Sequence, residues 1–199
     1  NNSQIFYVGT GEPYARASRG SGIWKTTNGG ASFTKLSTTT SFYYINDIAI
    51  RNEGGASVVY AAVDAYYYKG TYHGAAQAGL QQSSNGGSTW AQVLVNIPNE
   101  TTNFVASDVE LAADNRIWIG SKASPYALTD RGGGRVLYSD DGVNWTISNS
   151  TSVSNGDGRV EVACAASDMN YVYAMVEDNS EVETIIRTAN KGSVWSSMS

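Results

Sequence analysis

A short turn-like motif recurs four times along this 199-residue chain, and it constrains the fold more than any other feature. Each copy has a hydroxyl residue, then Asn or Asp, then Gly, and ends on an aromatic residue. The starts are 57, 56 and 49 residues apart, and the third copy is one residue short. Repetition at this period indicates a chain built from similar supersecondary units. The copies are TTNGGASF (26–33), SSNGGSTW (83–90), SDDGVNW (139–145) and TANKGSVW (188–195).

Each motif position has a mechanical role in a hairpin turn. The Asn or Asp side chain can bond nearby backbone as an Asx-turn, and the glycine can take a positive φ without steric cost. The hydroxyl can tie the turn to neighbouring backbone, and the aromatic ring offers a large apolar surface for packing. We therefore interpret the motifs as structural. The residues concerned are Thr26, Asn28, Gly30, Phe33, Ser83, Asn85, Gly87, Trp90, Ser139, Asp141, Gly142, Trp145, Thr188, Asn190, Gly192 and Trp195.

The repeat resembles the Asp-box, or bacterial neuraminidase repeat, whose consensus is Ser-x-Asp-x-Gly-x-Thr-Trp. SSNGGSTW departs from it only by Asn for Asp. The opening segment IFYVGTGE…GSGIWKTTNGGASFTKL is similar to secreted, glycosyl-hydrolase-like bacterial proteins that carry the box. Sortilin-type receptors, xyloglucanase-type hydrolases, sialidases and photosystem II assembly factors share it. The resemblance implies a β-propeller in which each box joins the third and fourth strands of a blade, in a secreted or cell-surface bacterial protein.

The strand pattern agrees with this architecture. Gly and Ser/Thr/Asn clusters separate short runs rich in Tyr, Val and Ile, and no long stretch has helical spacing. We predict one all-β propeller domain over 1–199, with blades at about 1–40, 41–98, 99–150 and 151–199. The first blade has three strands and lacks its innermost one. Four blades could form a small closed propeller, but propellers of this family usually have six or more blades, so we predict part of a larger propeller. The rest of it, or another chain, would cover the end blades.

Charge and hydropathy limit the classes of binding partner that we expect. The net charge is −5 and there is no Lys/Arg block, so nucleic acid and anionic membrane surfaces are not expected as partners. No apolar run approaches the roughly 18 residues of a membrane span. Cys164, the only cysteine, lies in the apolar alternating run VEVACAAS, where we expect a buried and unreactive thiol.

Candidate ligand-binding residues lie on long connections. The resemblance implies that the loops between second and third strands open on the face opposite the boxes. Segments 11–22, 66–79 and 122–134 are longer than hairpins need and are rich in Tyr and Arg, which suit recognition. Ordinary solvated connections are the alternative. The candidates for binding a glycan or protein are Tyr14, Arg16, Arg19, Tyr68, Tyr72, His73, Tyr126, Asp130 and Arg131.

Catalysis and metal binding have weaker support. A glycosidase needs two carboxylates about 5–10 Å apart, and Asp47 and Asp108 occupy matching repeat slots, which favours a structural role. A single His73 cannot build an ordinary zinc site, and no Gly-x-Ser-x-Gly elbow is present. Calcium at SDDG (139–142) or NGDG (155–158) is an alternative that turn chemistry also explains.

We therefore expect no catalytic residue, metal or cofactor, and predict a non-catalytic recognition module. The alternatives are a segment of a xyloglucanase-like or sialidase-like glycoside hydrolase, and a structural part of a larger secreted assembly.

Overall fold

The fold is almost entirely antiparallel β-sheet. The structure, a computed structural model, describes residues 3–14, 18–94, 104–123, 132–148, 158–178 and 181–198. Within them the only helical segments are two 3₁₀ turns, Ser37–Thr39 and Ala75–Gln77. Neither has the length or the apolar character needed to span a membrane. The chain divides into two compact units, Asn1–Gln92 and Val93–Ser199.

The first unit holds two sheets and one hairpin. Sheet 1 has three strands, in the order β1 (Phe6–Val8), β2 (Trp24–Thr26) and β3 (Thr34–Lys35). Sheet 2 has four, which are β4 (Tyr44–Glu53), β5 (Ala56–Asp64), β8 (Gly79–Ser83) and β9 (Ala91–Gln92). A two-stranded hairpin, β6 (Tyr66–Tyr68) and β7 (Thr71–His73), lies between β5 and β8.

The second unit holds two four-stranded sheets. Sheet 3 contains β10 (Val105–Leu111), β11 (Ile117–Lys122), β12 (Val136–Ser139) and β13 (Thr146–Ile147). Sheet 4 contains β14 (Val160–Cys164), β15 (Val172–Asp178), β16 (Glu181–Thr188) and β17 (Ser196–Ser197). In all four sheets the strands lie in chain order and pair antiparallel, so the predicted all-β fold with an incomplete first sheet is confirmed.

Each unit has its own apolar core. In the first unit Ile23, Phe42, Ile45, Ala61 and Val63 pack together. In the second, the core includes the rings of Trp118 and Trp195, whose centroids lie 6.1 Å apart in an edge-to-face arrangement. Alternation along the strands produces these cores, because successive side chains point to opposite faces of a sheet.

The four motif turns share one hydrogen-bond pattern. The leading hydroxyl accepts the main-chain N–H of the motif glycine at 2.8 to 3.0 Å. The same hydroxyl donates to the Asn or Asp side-chain oxygen at 2.9 to 3.1 Å. That oxygen accepts the N–H of the residue just before the aromatic at 2.7 to 3.0 Å. All four motif glycines have positive φ, between 78° and 95°. The aromatic residue of each motif lies one position before the strand that follows the turn.

The second turn of each unit also docks on the preceding sheet of the same unit. Lys25 Nζ donates to the Gly86 carbonyl at 3.1 Å, and the Thr38 hydroxyl donates to the Gly87 carbonyl at 2.6 Å. In the second unit, Arg116 Nη1 and the Ser148 hydroxyl donate, each at 3.0 Å, to the carbonyls of Lys191 and Gly192. These two turns therefore join adjacent sheets as well as closing a hairpin.

Candidate functional site

The candidate site lies in the first unit, at the end of β8 opposite its motif turn. The connection between β5 and β8 was predicted as a long loop, but it folds into the β6–β7 hairpin. Lys69 and Gly70 at its tip have φ values of 50° and 80°, which suit a two-residue hairpin turn. The surface around this hairpin, here called the aromatic patch, consists of Arg19, Tyr43, Tyr67, Tyr68, Lys69, Tyr72 and His73.

Arg19 is the central cation of the aromatic patch. Its guanidinium carbon lies 5.0 Å from the centroid of the Tyr43 ring and 5.5 Å from that of Tyr68. The Gly20 N–H donates to the Tyr43 carbonyl at 2.7 Å, which holds the Arg19 backbone beside Tyr43. Arg19 is exposed although both rings lie beside its guanidinium. An exposed guanidinium beside aromatic rings can donate hydrogen bonds to an incoming group.

The two faces of the β6–β7 hairpin have different environments. Tyr68 and His73 lie on one face, with their ring centroids 6.2 Å apart, and His73 also makes an edge contact with Tyr43 at 5.5 Å. Tyr67 and Tyr72 form a cross-strand pair on the other face at 4.9 Å. Tyr67 is 60% exposed, so the pair presents apolar ring surface to solvent.

The residue that follows Tyr43 carries a buried hydroxyl. The Tyr44 hydroxyl is fully buried and has no hydrogen-bond partner among the described residues. Burial raises the pKa of Tyr44, and the positive charge of Arg19 acts against this rise. Asp64, also buried, accepts the Ala65 N–H at 2.7 Å. A buried hydroxyl normally finds a partner in protein, water or ligand.

The structure brings some predicted residues together and leaves others apart. Arg19, Tyr68, Tyr72 and His73 all belong to the aromatic patch. Tyr14 has an exposed ring, its main-chain N–H donates to the Glu12 carboxylate, and its role in binding stays a prediction. The remaining predicted binding residues, Arg16, Tyr126, Asp130 and Arg131, lie outside the described residues.

Sequence reasoning missed Tyr43 and Tyr44. They lie in STTTSFYY (37–44), at the predicted boundary between the first and second blades. The feature of the sequence that could have identified them is a pair of adjacent aromatic residues at the start of a strand. Alternation along that strand sends one ring into the core and the other to the surface.

The carboxylates considered for catalysis or metal binding are engaged with main-chain donors. Asp47 accepts the Ile48 N–H at 2.7 Å, and Asp108 accepts that of Val109 at 3.0 Å. Asp141 accepts four hydrogen bonds from Ser139, Val143 and Asn144.

The bonds from Asn144 and Val143 hold the pKa of Asp141 well below its usual range. Across the described residues, no three His, Cys, Asp or Glu side chains come together as a metal site would require. The second calcium candidate, 155–158, lies almost entirely outside them.

Cys164 lies in β14 and is half-buried. Burial, with a smaller contribution from the negative charge of Glu110, raises the pKa of its thiol to about 12. This environment keeps the thiol protonated at neutral pH and disfavours reaction as a nucleophile.

The architecture has counterparts among solved structures. No protein-family model and no curated protein sequence matches the chain. The chain is similar to the GH74 enzyme of Niastella koreensis, with a TM-score of 0.66, 22% identity, and coverage of 99% of this chain and 28% of that one. For an ancestral GH74 enzyme the TM-score is 0.59 and the identity 18%, and the match covers 96% of this chain and 23% of that one. For YCF48 bound to D1 peptide the TM-score is 0.52 and the identity 14%, and the match covers 100% of this chain and 50% of that one.

These similarities show that the chain has a β-propeller fold. It spans less than a third of the length of the two GH74 structures and half of YCF48, so its four sheets correspond to part of each of those chains.

Proposed function

We propose that this chain is a non-catalytic recognition module that binds an acidic glycan through the aromatic patch. The observation that carries the proposal is the exposed Arg19 guanidinium, covered by the rings of Tyr43 and Tyr68 beside His73. A rigid cation among flat apolar rings matches a ligand that combines apolar ring faces with a negative charge.

Each part of the patch contributes a different interaction. The Tyr43 and Tyr68 rings beside Arg19 offer flat surface that loses little side-chain entropy on binding. Arg19 can form paired hydrogen bonds with a carboxylate. Lys69 Nζ, 5.3 Å from the Tyr68 ring centroid, adds a second positive charge. Two cations at one patch of an acidic protein favour a uronic acid or another carboxylate-bearing sugar over a neutral one.

The family assignment also belongs to this proposal. The shared hydrogen-bond pattern of the four turns supports their assignment as Asp-boxes. The propeller fold in GH74 enzymes supports a carbohydrate-related module in a secreted or cell-surface protein.

Those neighbours also favour a second candidate, a segment of a glycoside hydrolase. In that case the catalytic carboxylates would lie outside the described residues.

Binding to an array of acidic and neutral oligosaccharides tests the proposal. We expect Arg19→Ala and Tyr68→Ala to weaken binding of acidic glycans at least tenfold. Arg187→Ala and Tyr171→Ala are matched controls, because that pair forms a similar surface cation–ring contact at 5.7 Å in the second unit. Equal binding by all four variants would contradict the proposal, as would a loss of binding in the controls. Release of reducing ends by the purified chain would favour the hydrolase.

A further inference from the structure

Two of the four motif turns contain an Asn-Gly pair, a dipeptide in which the asparagine side chain reacts readily with the main chain. The pairs are Asn28–Gly29 and Asn85–Gly86, at the same positions of the first and second motifs. Glycine has no side chain to hinder the approach of its own nitrogen to the preceding amide carbon. A third Asn-Gly pair, 155–156, lies outside the described residues. The two turns therefore place one reactive pair in two environments.

The asparagine side chain makes the same contacts in both turns. Asn85 Oδ1 accepts the Ser83 hydroxyl at 3.0 Å and the Thr89 N–H at 2.9 Å. Asn28 Oδ1 accepts the corresponding hydroxyl and N–H at 2.9 and 3.0 Å. Two donors on an amide oxygen stabilise the negative charge that develops on it when a nucleophile adds to Cγ. Both turns therefore favour attack on the asparagine side chain to the same degree.

The main-chain nitrogen next to the asparagine differs between the two turns. The Gly29 N–H donates to the Gln4 carbonyl at 3.0 Å. The Lys191 N–H, at the same position of the fourth motif, donates to the Asn170 carbonyl at 3.2 Å. The Gly86 N–H has no hydrogen-bond partner among the described residues. The nitrogen of Gly86 is therefore free to react, whereas that of Gly29 must first lose a hydrogen bond.

A positive charge lies beside Gly86. Lys25 Nζ donates to the Gly86 carbonyl at 3.1 Å, and a Cβ atom built on Gly86 would lie 3.0 Å from the same Nζ. The amide nitrogen attacks as its anion, which a nearby cation stabilises. The nearest group to Gly29 is the neutral side-chain amide of Gln4. Asn85 is exposed, so water reaches the reacting groups.

We propose that Asn85 is a self-modification site, at which the folded chain loses ammonia and gains a carboxylate. The Gly86 nitrogen bonds to Asn85 Cγ and the Cγ–Nδ2 bond breaks. The proton of the Gly86 N–H leaves with the side-chain nitrogen as ammonia. Water then opens the cyclic imide, giving aspartate when it adds at Cγ and isoaspartate when it adds at the main-chain carbonyl carbon. Water is the only co-reactant, and nothing is oxidised or reduced.

The third motif shows that the turn accepts an aspartate at this position. Asp141 Oδ1 accepts the Ser139 hydroxyl at 3.1 Å and the Asn144 N–H at 2.7 Å, as Asn85 Oδ1 accepts its own two donors. The second oxygen of Asp141 accepts the Asn144 side-chain amide at 2.6 Å. The Thr89 hydroxyl, which accepts from Asn85 Nδ2 at 2.8 Å, can rotate to donate to the new oxygen. The aspartate product therefore keeps the turn and adds one negative charge to the chain.

Peptide mapping by mass spectrometry tests the proposal, with fragmentation to localise each converted asparagine. The full chain is incubated at mildly alkaline pH, folded in one sample and unfolded in urea in the other. In the folded chain we expect Asn85 to convert about tenfold faster than Asn28, the rate equivalent of one hydrogen bond. In urea the two rates should become equal, because the bond to Gly29 is lost and both asparagines lie between a hydroxyl residue and two glycines.

Two variants complete the experiment. Asn85→Asp supplies the reference for the aspartate product. Asn85→Gln keeps the amide but moves its carbon one bond farther from the Gly86 nitrogen, so position 85 should stay unmodified in this variant.

Three outcomes would overturn the proposal. These are an unchanged Asn85 in the folded chain over the time in which it converts in urea, equal rates for Asn85 and Asn28 in the folded chain, and conversion at position 85 in Asn85→Gln at the original rate. Glycan binding enters none of these measurements, and Asn85 lies at the other end of β8 from the aromatic patch. Failure here is therefore separate from failure of the glycan proposal.

Discussion

The Ser148 hydroxyl accepts a hydrogen bond from the Trp195 indole N–H at 2.8 Å. It donates in turn to the carbonyl of Gly192 at 3.0 Å. One hydroxyl just after β13 therefore satisfies both the ring and the turn of the motif in sheet 4. By contrast, the buried Trp90 indole N–H of sheet 2 has no hydrogen-bond partner among the described residues. Both turns are tied to the preceding sheet through the motif glycine carbonyl, and only the indole hydrogen bond is particular to the sheet 3–sheet 4 junction among the described residues.

We expect Ser148→Ala to destabilise the chain by about 1–3 kcal/mol, because it leaves a buried N–H and a buried carbonyl without a partner. Denaturant unfolding followed by tryptophan fluorescence measures this change. Ser57→Ala, on an exposed strand position, is the control and should change stability by less than about 0.5 kcal/mol. Equal stability of the two variants would show that the Ser148 bonds contribute nothing.

Gly192→Ala should be more destabilising than a positive φ alone explains. A Cβ atom at Gly192 would lie 2.6 Å from Trp118 Cη2 and 2.7 Å from Ser148 Oγ. Gly55 has a similar φ of 90° with no atom within 4 Å, so Gly55→Ala isolates the cost of the backbone conformation. We expect Gly55→Ala to lower the free energy of unfolding by about 1 kcal/mol and Gly192→Ala to lower it by about 3 kcal/mol. Indistinguishable unfolding midpoints would contradict the close approach.

Acid should weaken the third turn through Asp141. Its pKa is held below the ordinary value of 3.8, chiefly by the Asn144 main-chain N–H. A depressed native pKa stabilises the fold above about pH 4, and this stabilisation is lost as the pH falls below that value. Asp141→Asn should therefore flatten the dependence of the unfolding temperature on pH between about 4 and 2.

The control for Asp141 is Glu181→Gln, which removes a carboxylate from the exposed start of β16. This variant should keep the slope of the unmodified chain. An unchanged slope in Asp141→Asn would mean that the carboxylate does not stabilise the turn.

The Cys164 thiol should be almost inert in the folded chain. Its pKa of about 12 leaves very little thiolate at pH 8. We expect iodoacetamide to react at least about a hundredfold more slowly with the native chain than with the chain in urea. Labelling followed by intact-mass measurement gives both rates, with Cys164→Ser as the unreactive control. Native and unfolded rates within threefold of each other would contradict the assigned environment.

Local chemistry explains why the turns were predictable. A hydroxyl, an amide or carboxylate and a glycine within five residues are enough to specify the bonds around Thr26 or Ser83, since every partner lies within four residues along the chain. The alternating apolar pattern likewise indicated most strands and the shortened first sheet. The β6–β7 hairpin was missed because its turn, Lys69–Gly70, has a non-glycine residue at positive φ.

The contacts within the aromatic patch could not be predicted from the sequence. Arg19 and His73 are 54 positions apart and lie in connections of different sheets, the β1–β2 and the β5–β8 connections, so only the tertiary structure brings them together. The loops were recognisable as candidates by composition. The contact between Arg19 and Tyr43 depends on a main-chain bond from Gly20 that no local pattern indicates.

The sequence by itself determined the turns, the strands and the antiparallel order within each sheet, because short-range hydrogen bonds and side-chain alternation are encoded in neighbouring residues. Only the tertiary structure decided which turns dock on a preceding sheet and which rings surround Arg19. Those contacts join residues far apart in the chain, and close packing of whole sheets fixes them.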